Sequence, residues 1–467
     1  MNDFPVATPQ IIPPLDPLFR PAVLANRAVG AAASAAGRAV PLGIAIEQSD
    51  GSVFHTATEL LPENHPQAAA NFAHVERLAK FLLWSRGGWR IHLAGAAEVT
   101  THLQRGLQAH YRDTATGRFD SGMVGGKIFD RPLEIVTGRD LPAARASTMP
   151  LGRHLGGCRI GFDLGGSDRK VAAVVEGNVV FSDETVWDPY FQADPQYHYD
   201  GIMDSLRKAA AHLPRVDAIG GSAAGCYVNN RVKAASLFRG VSEADFAARV
   251  SGMFLRIGRE WNVPLEVVND GEVTALAGSM SLGVNAVLGI AMGTSQAAGF
   301  VTREGNITSW LNELAFAPVE HRVDAPVDEW SGDGGCGAQY FSQQAVGRLL
   351  APAGIAADAA LPLPEQLKLV QSLMAAGDAR ARAIYETIGV YLGYGLAHYA
   401  DFYDFDHVLV LGRVTSGTGG DVILERARAV WAAEFPALAA RIQFHSPNET
   451  DKRHGQAVAA ASLPQLH

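Results

Sequence analysis

Cysteine is scarce in this chain. Cys158, Cys226 and Cys336 are its only thiols, and no two of them stand in a CxxC spacing. Three scattered thiols build neither a disulfide framework nor a zinc knuckle, so a reducing setting is expected. An excess of positive charge is lacking too. A formal net charge of -9 leaves nothing general for gripping a phosphate backbone, and no nucleic-acid partner is expected. Long apolar runs are also missing: the alanine-rich stretch 22–40 is broken by Arg27 and Arg38, so no membrane partner is expected. The opening residues carry Asp3 and prolines where a secretory signal would have a basic stretch and an apolar run. A cytoplasmic address is therefore the expectation. Neither a Walker P-loop nor a GxGxxG fingerprint after a strand occurs, which excludes the two commonest nucleotide cradles.

What is present is a folded chain of 467 residues, 48% apolar and 19% charged, long enough for more than one core. Residues 1–155 read as a small α+β region. They hold a hairpin (42–46 and 52–57) turning at Ser49-Asp50-Gly51, a helix over 67–84, a strand over 90–95 and a second helix to Tyr111. From Arg159 the texture changes to short β-branched runs ending in glycine clusters and followed by helical periodicity, the pattern of an α/β sheet with its loops at strand ends. Strands are expected at 159–166, 170–177, 178–186, 216–225 and 264–270, with helices over 200–213, 242–261 and through Ala277. The glycine punctuation then repeats: strands at 286–295 and 297–305, a strand near Glu313, helices, and a strand at 407–414. Two similar lobes, 156–283 and 284–467, with a cleft between them are predicted.

Four segments carry candidate chemistry. Asp163-Leu164-Gly165-Gly166-Ser167 continues to Lys170 in a hairpin. Its glycines let backbone N–H groups approach phosphate oxygens, and its carboxylate suits a hydrated Mg²⁺; the same residues also suit a plain tight turn. Gly293-Thr294-Ser295 is a second glycine turn in the matching hairpin of the other half. A third cluster, from Gly412 and Arg413 through Gly417 to Gly420, follows a strand and precedes a helix, so it either passes under a purine and its ribose or simply enters the helix. Asn269-Asp270-Gly271 ends a strand and opens a helix. Asp270 there is either a base for a hydroxyl attacking a γ-phosphate or an N-cap.

In this order and spacing these motifs resemble the ROK (repressor, open reading frame, kinase) sugar kinases of the actin-like ATPase superfamily, over roughly residues 157–465. The resemblance implies a duplicated actin-like fold with ribonuclease H-like lobes, with ATP and Mg²⁺ as cofactors and phosphorylation of a sugar or polyol hydroxyl as the activity. Asp163 would position Mg²⁺ through water, Asp270 would be the catalytic base, and Asn269, Glu313 and the loop at Gly225 would face the sugar. Two departures stand out. Phe316 occupies the place of the family's histidine, and Cys336 is all that remains of its zinc cluster, so no structural zinc is expected. A non-catalytic sugar-sensing regulator and a nucleotide-binding chaperone are the other readings of such a chain, and a homodimer is left open. The sequons at Asn306 and Asn448 read as unused in a chain with no sign of secretion.

Overall fold

The Ser49-Asp50-Gly51 turn reverses the chain as expected, pairing β1 (Val40–Glu47) with β2 (Val53–Leu60) and setting Ile46 opposite Phe54. In this computed structural model, which describes residues 5, 7–146, 151–358, 360–446 and 455–466, two further strands complete that sheet. β3 (Arg90–Gly95) runs antiparallel to β1, and β4 (Glu134–Gly138) runs parallel to β3, giving the order β2-β1-β3-β4. The alanine-rich stretch excluded as a membrane span forms α1 (Ala22–Ala35), ahead of α2 (Ala70–Arg86) and α3 (Ala97–Asp113). A short helix, α4 (Ala115–Asp120), then loosens into a wide turn over Ser121–Ile128, a segment with glycines at 122, 125 and 126. The Asn448 sequon lies outside the described residues.

The second sheet has the order β11-β8-β5-β6-β7, built from β5 (Cys158–Leu164), β6 (Asp168–Val175), β7 (Asn178–Val186), β8 (Ala218–Ala223) and β11 (Leu265–Asn269). β5, β8 and β11 are parallel, in a register that sets Leu164 beside Ala223 and Ala223 beside Asn269. Their carboxyl ends therefore form one rim. The small ribbon of β9 (Cys226–Val228) and β10 (Arg231–Ala234) leaves that rim, and α5 (Pro195–Ala210) covers a face. The single helix predicted over 242–261 is in fact broken. A turn of helix, α6 (Glu243–Asp245), passes into a wide turn over Phe246–Val250 before α7 (Met253–Trp261), whose end Asn262 caps in the left-handed conformation.

From the same rim α8 (Asp270–Leu282) carries the chain to the third sheet, ordered β13-β12-β14-β15. Its strands are β12 (Val287–Met292), β13 (Gln296–Val301), β14 (His407–Leu411) and β15 (Gln443–His445). Around it pack α9 (Gln343–Leu349), α10 (Leu363–Ala375), α11 (Ala379–Ala400), α12 (Thr418–Glu434) and α13 (Pro436–Arg441). The strand expected near Glu313 is absent, and residues 302–342 form an irregular segment without a named strand. The last helix, α14 (Gly455–Ala461), lies on the second sheet. A Cβ on Gly161 or Gly220 would sit 1.7 Å from the carbonyl oxygens of Ala457 and Ala460, so these strand glycines and the alanines of α14 make one close contact.

The N-terminal sheet and its helices share one apolar core with the third sheet. Phe81 of α2 stacks on Phe402 at 4.3 Å, and Arg86 lies buried between Phe54, Trp310 and Tyr403. The second sheet keeps a core of its own around Phe162, Leu206 and Phe254. Among the described residues no helix is long and apolar enough to cross a membrane.

Candidate active site

Asn269 decides what Asp270 is free to do. Its Oδ1 accepts the Gly271 N–H at 2.7 Å as the N-cap of α8, and its Nδ2 donates to the Gly225 carbonyl at 2.8 Å. The N-cap position falls to its neighbour, and Asp270, whose Oδ1 accepts the same Gly271 N–H at the longer distance of 3.0 Å, begins the helix half-buried at the rim of β5, β8 and β11. Asn269, expected to hold a sugar, ties the Gly225 loop to the helix start. Burial and the nearby negative charge of Asp163 push the Asp270 carboxyl up to about 6, against the Gly271 N–H, which favours ionisation.

Asp163 ends β5 within reach of the same rim. Ser222, its registered partner on β8, donates Oγ–H to Asp163 Oδ1 at 2.6 Å, while Lys170 Nζ stands 4.0 Å from Oδ2 and 3.2 Å from Asp168. Burial raises the Asp163 carboxyl, with Ser222 and Lys170 opposing. In the turn itself Gly165 donates to the Asp168 carbonyl and accepts the Trp187 indole N–H at 2.8 Å, while Ser167 is exposed and bonded to Asp168. Gly166 lies against Tyr190, whose hydroxyl would be 1.9 Å from any Cβ placed there.

The other two glycine loops meet each other. β12 and β14 run parallel with Ala291 beside Leu411, so Gly412 follows directly against Met292; a Cβ there would lie 2.4 Å from the Met292 carbonyl oxygen. Gly293 closes its turn onto Ser295 at 3.0 Å, leaving Thr294 and Ser295 exposed. Arg413 and Gly417 are exposed as well, whereas Gly420 is buried against Thr415 and shapes the start of α12. Among the described residues the hydrogen bonds and ion pairs link Asp163 with the second sheet, and the 412 loop with its own helix start and with Gln371 of α10. They do not tie the Asp163 turn to the Gly293 turn.

Beyond Asp270 the cleft becomes acidic. Glu313 accepts the Cys226 thiol at 3.4 Å, and burial together with Asp270 pushes its carboxyl up to about 7. Glu272, two residues along α8, accepts Asn312 Nδ2 at 3.1 Å, and burial pushes it up to about 8 with Glu313 adding to the effect. Asn312 in turn takes the Tyr403 hydroxyl at 2.9 Å. Glu313 sits in a loop because its backbone is hung on the end of α2: the amides of Leu311, Asn312 and Glu313 donate to the carbonyls of Arg86, Ser85 and Trp84. These are carbonyls that a helix end leaves unpaired. Phe316, at the histidine's expected place, stacks on Trp84 at 4.5 Å and on Trp330. Ser222, Cys226, Glu272 and Asn312 were given no site role in the sequence, and no local pattern marks them: Ser222 meets Asp163 only through the strand register.

Cys336 is buried with its sulfur 4.0 Å from Asp333. That carboxylate is held by Lys80 and Arg77, both at 2.8 Å, and Lys80 also reaches Asp120 at 3.0 Å. Burial alone would raise Asp333, but the two cations outweigh it and hold it down at about 2. A buried ammonium beside a single thiol does not suit a tetrahedral zinc site.

No protein-family model matches the chain, and no curated protein matches it. Solved structures do resemble it. The ROK hexokinase from Thermus thermophilus superposes with a TM-score of 0.51 at 17% identity, covering 66% of this chain and 97% of that one. A ROK-family transcriptional regulator, a homologue of the E. coli MLC protein, gives 0.54 at 18% identity, covering 66% and 78%. The chain therefore has the duplicated actin-like ATPase fold of ROK-family proteins, with about a third of its length outside the match.

Proposed function

We propose that this protein transfers the γ-phosphate of ATP to a hydroxyl of a sugar or sugar-like polyol. One observation carries the reading: Asp270 opens α8 directly behind the Asn269 cap, at the carboxyl rim of three parallel strands, with the carboxylates of Asp163 and Glu313 both close enough to act on it or feel it. A carboxyl raised to about 6 is ionised at neutral pH yet basic enough to take a proton from a hydroxyl as it attacks phosphorus.

The acceptor lies on the Glu313 side of Asp270 and the triphosphate on the Asp163 side. The amides of Gly166 and Ser167, and of Thr294 and Ser295, bind phosphate oxygens in turns that Gly165 and Gly293 close with their own N–H groups; Lys170, already drawn toward Asp163, adds a point charge. The exposed Arg413 and Gly417 flank the nucleoside. Mg²⁺ supplies charge neutralisation on the β- and γ-phosphates when bound with the nucleotide. The residues fit it: Asp163, oriented by the Ser222 hydroxyl, is a hard oxygen donor at the rim, and phosphate and water would supply the remaining ligands. Glu313 and Cys226 hold acceptor hydroxyls, and closure over them excludes water.

The test is ADP release with a panel of sugars and polyols. The Asp270→Asn variant should lose about 10²- to 10⁴-fold in kcat while still binding ATP; full turnover in that variant removes Asp270 from the role.

The regulator on the same fold supports a second, non-catalytic reading. Against it, the N-terminal region is a four-stranded sheet that shares its core with the third sheet, not a separate helical module. No ATP consumption with any acceptor would favour that second reading, and consumption without acceptor dependence would point to a nucleotide-hydrolysing chaperone.

A further inference from the structure

The cavity next to Asp270 is walled from three directions. The second sheet contributes Gly225, Cys226 and Asn269, the irregular segment contributes Thr308 to Leu311, and the N-terminal region contributes Gln48, Ser49 and Asp50 from the β1–β2 turn together with Phe129. The N-terminal wall is fixed. Gln48 is fully engaged, donating to the carbonyls of Arg86 and Ser309 and accepting the Ser309 hydroxyl. Asp130, next to Phe129, forms an ion pair with Lys233 of β10, so the N-terminal region bridges from the third sheet's core to the first lobe across this opening.

We propose that the N-terminal region is part of the acceptor site, with Ser49 and Phe129 closing the cavity over the acceptor and selecting an uncharged or amino-bearing polyol over an acidic one. This rests on the Glu313 side of Asp270 being the acceptor side. The expected resemblance begins only at residue 157, so the wall comes from chain that the shared phosphotransferase fold does not need.

Charge and shape argue together for the acceptor class. Glu266 and Glu272 line the cavity, Asp50 stands at its mouth, and Asp270 and Glu313 adjoin it. Facing them, Lys127 approaches Cys226, while Arg86 is hidden beneath the Phe54, Trp310 and Tyr403 rings. A carboxylate on the acceptor would meet a wall of carboxyl groups with Lys127 as the one cation named near it, whereas hydroxyls or an ammonium find oxygen acceptors there. Phe129, Tyr227 and Trp310 give the same cavity the flat apolar surfaces that the C–H face of a sugar ring covers.

The experiment uses the full chain and three probes of one ring size: glucose, glucosamine and glucuronate. Binding is read by calorimetry and turnover by ADP release. Ser49 is exposed at a turn, so Ser49→Trp fills the mouth without touching the core, and Phe129→Ala enlarges it. The expected result is binding of glucose or glucosamine and at least tenfold weaker binding of glucuronate. Ser49→Trp should weaken the bound probe at least tenfold, in Kd and in acceptor KM, with the KM for ATP unchanged. Glucuronate bound as well as the others, no binding by any probe, or both variants leaving acceptor affinity unchanged would overturn the proposal. Probe binding that responds to Ser49→Trp but yields no ADP would refute the kinase reading while leaving the wall in place.

Discussion

At the scale of single residues, two adjacent side chains divide between them roles that either might take. Asp and Asn are both good N-caps, so the sequence Asn269-Asp270 leaves open which of them caps and which faces the cleft. The backbone settles it, because Asn269 has extended dihedrals and Asp270 helical ones. Asp163 and Ser222 make a similar pair: both stand in the expected strands, but their 2.6 Å bond depends on a register that no local pattern reveals. The value near 6 for Asp270 has a kinetic consequence. In the proposed role of base the residue works only when ionised, so kcat/KM for the acceptor should fall as pH drops through about 6, with unit slope on the acid limb. A pH profile measured at fixed Mg²⁺ and ATP checks this. A limb near the ordinary carboxylate value would mean that the rate-limiting group is another one.

Among the elements, the strands and the first helices of each lobe were legible because period-two alternation and glycine punctuation are local signals. Elements shaped by distant partners were not. The strand expected at Glu313 rested on a repeat of the first lobe, but the amides at 311–313 are claimed by the carbonyls at the end of α2, more than two hundred residues earlier in the chain, so the segment hangs from a helix and joins no sheet. The helix expected over 242–261 failed because wide turns leave no compositional mark. α2 also carries the ion cluster, and Lys80 is wholly buried between Asp120 and Asp333. Replacing it with methionine keeps the side-chain length but strands the buried Asp120 without a cation and leaves Asp333 to Arg77 alone. Lys80→Met should cost about 3–5 kcal/mol of unfolding free energy, measured by urea denaturation. The paired change Lys80→Met with Asp120→Leu should recover much of that loss, since removing both partners leaves fewer orphaned charges.

For the whole molecule, the sequence separated an N-terminal region from two lobes, and composition alone could not show that this region shares a core with the second lobe and a cavity wall with the first. One global property follows from that junction. Asp270, Glu272 and Glu313 come together where the three parts meet, and their carboxyls titrate at about 6, about 8 and about 7, all above the ordinary carboxylate range. Between about pH 4.5 and pH 8 the folded chain therefore holds protons that the unfolded chain has released. Raising pH through this window strips them from the native state alone, so the contribution of these groups to stability is present at the acid end and is lost toward pH 8 and above. Thermal unfolding in the absence of ligands should show Tm declining from pH 6 to pH 9. Glu272→Gln keeps an oxygen to accept from Asn312 but carries no charge to bury, so its Tm should exceed that of the parent by several degrees at pH 9 and match it near pH 5. An equal offset at both pH values would assign the effect to packing and would remove Glu272 from the titrating cluster.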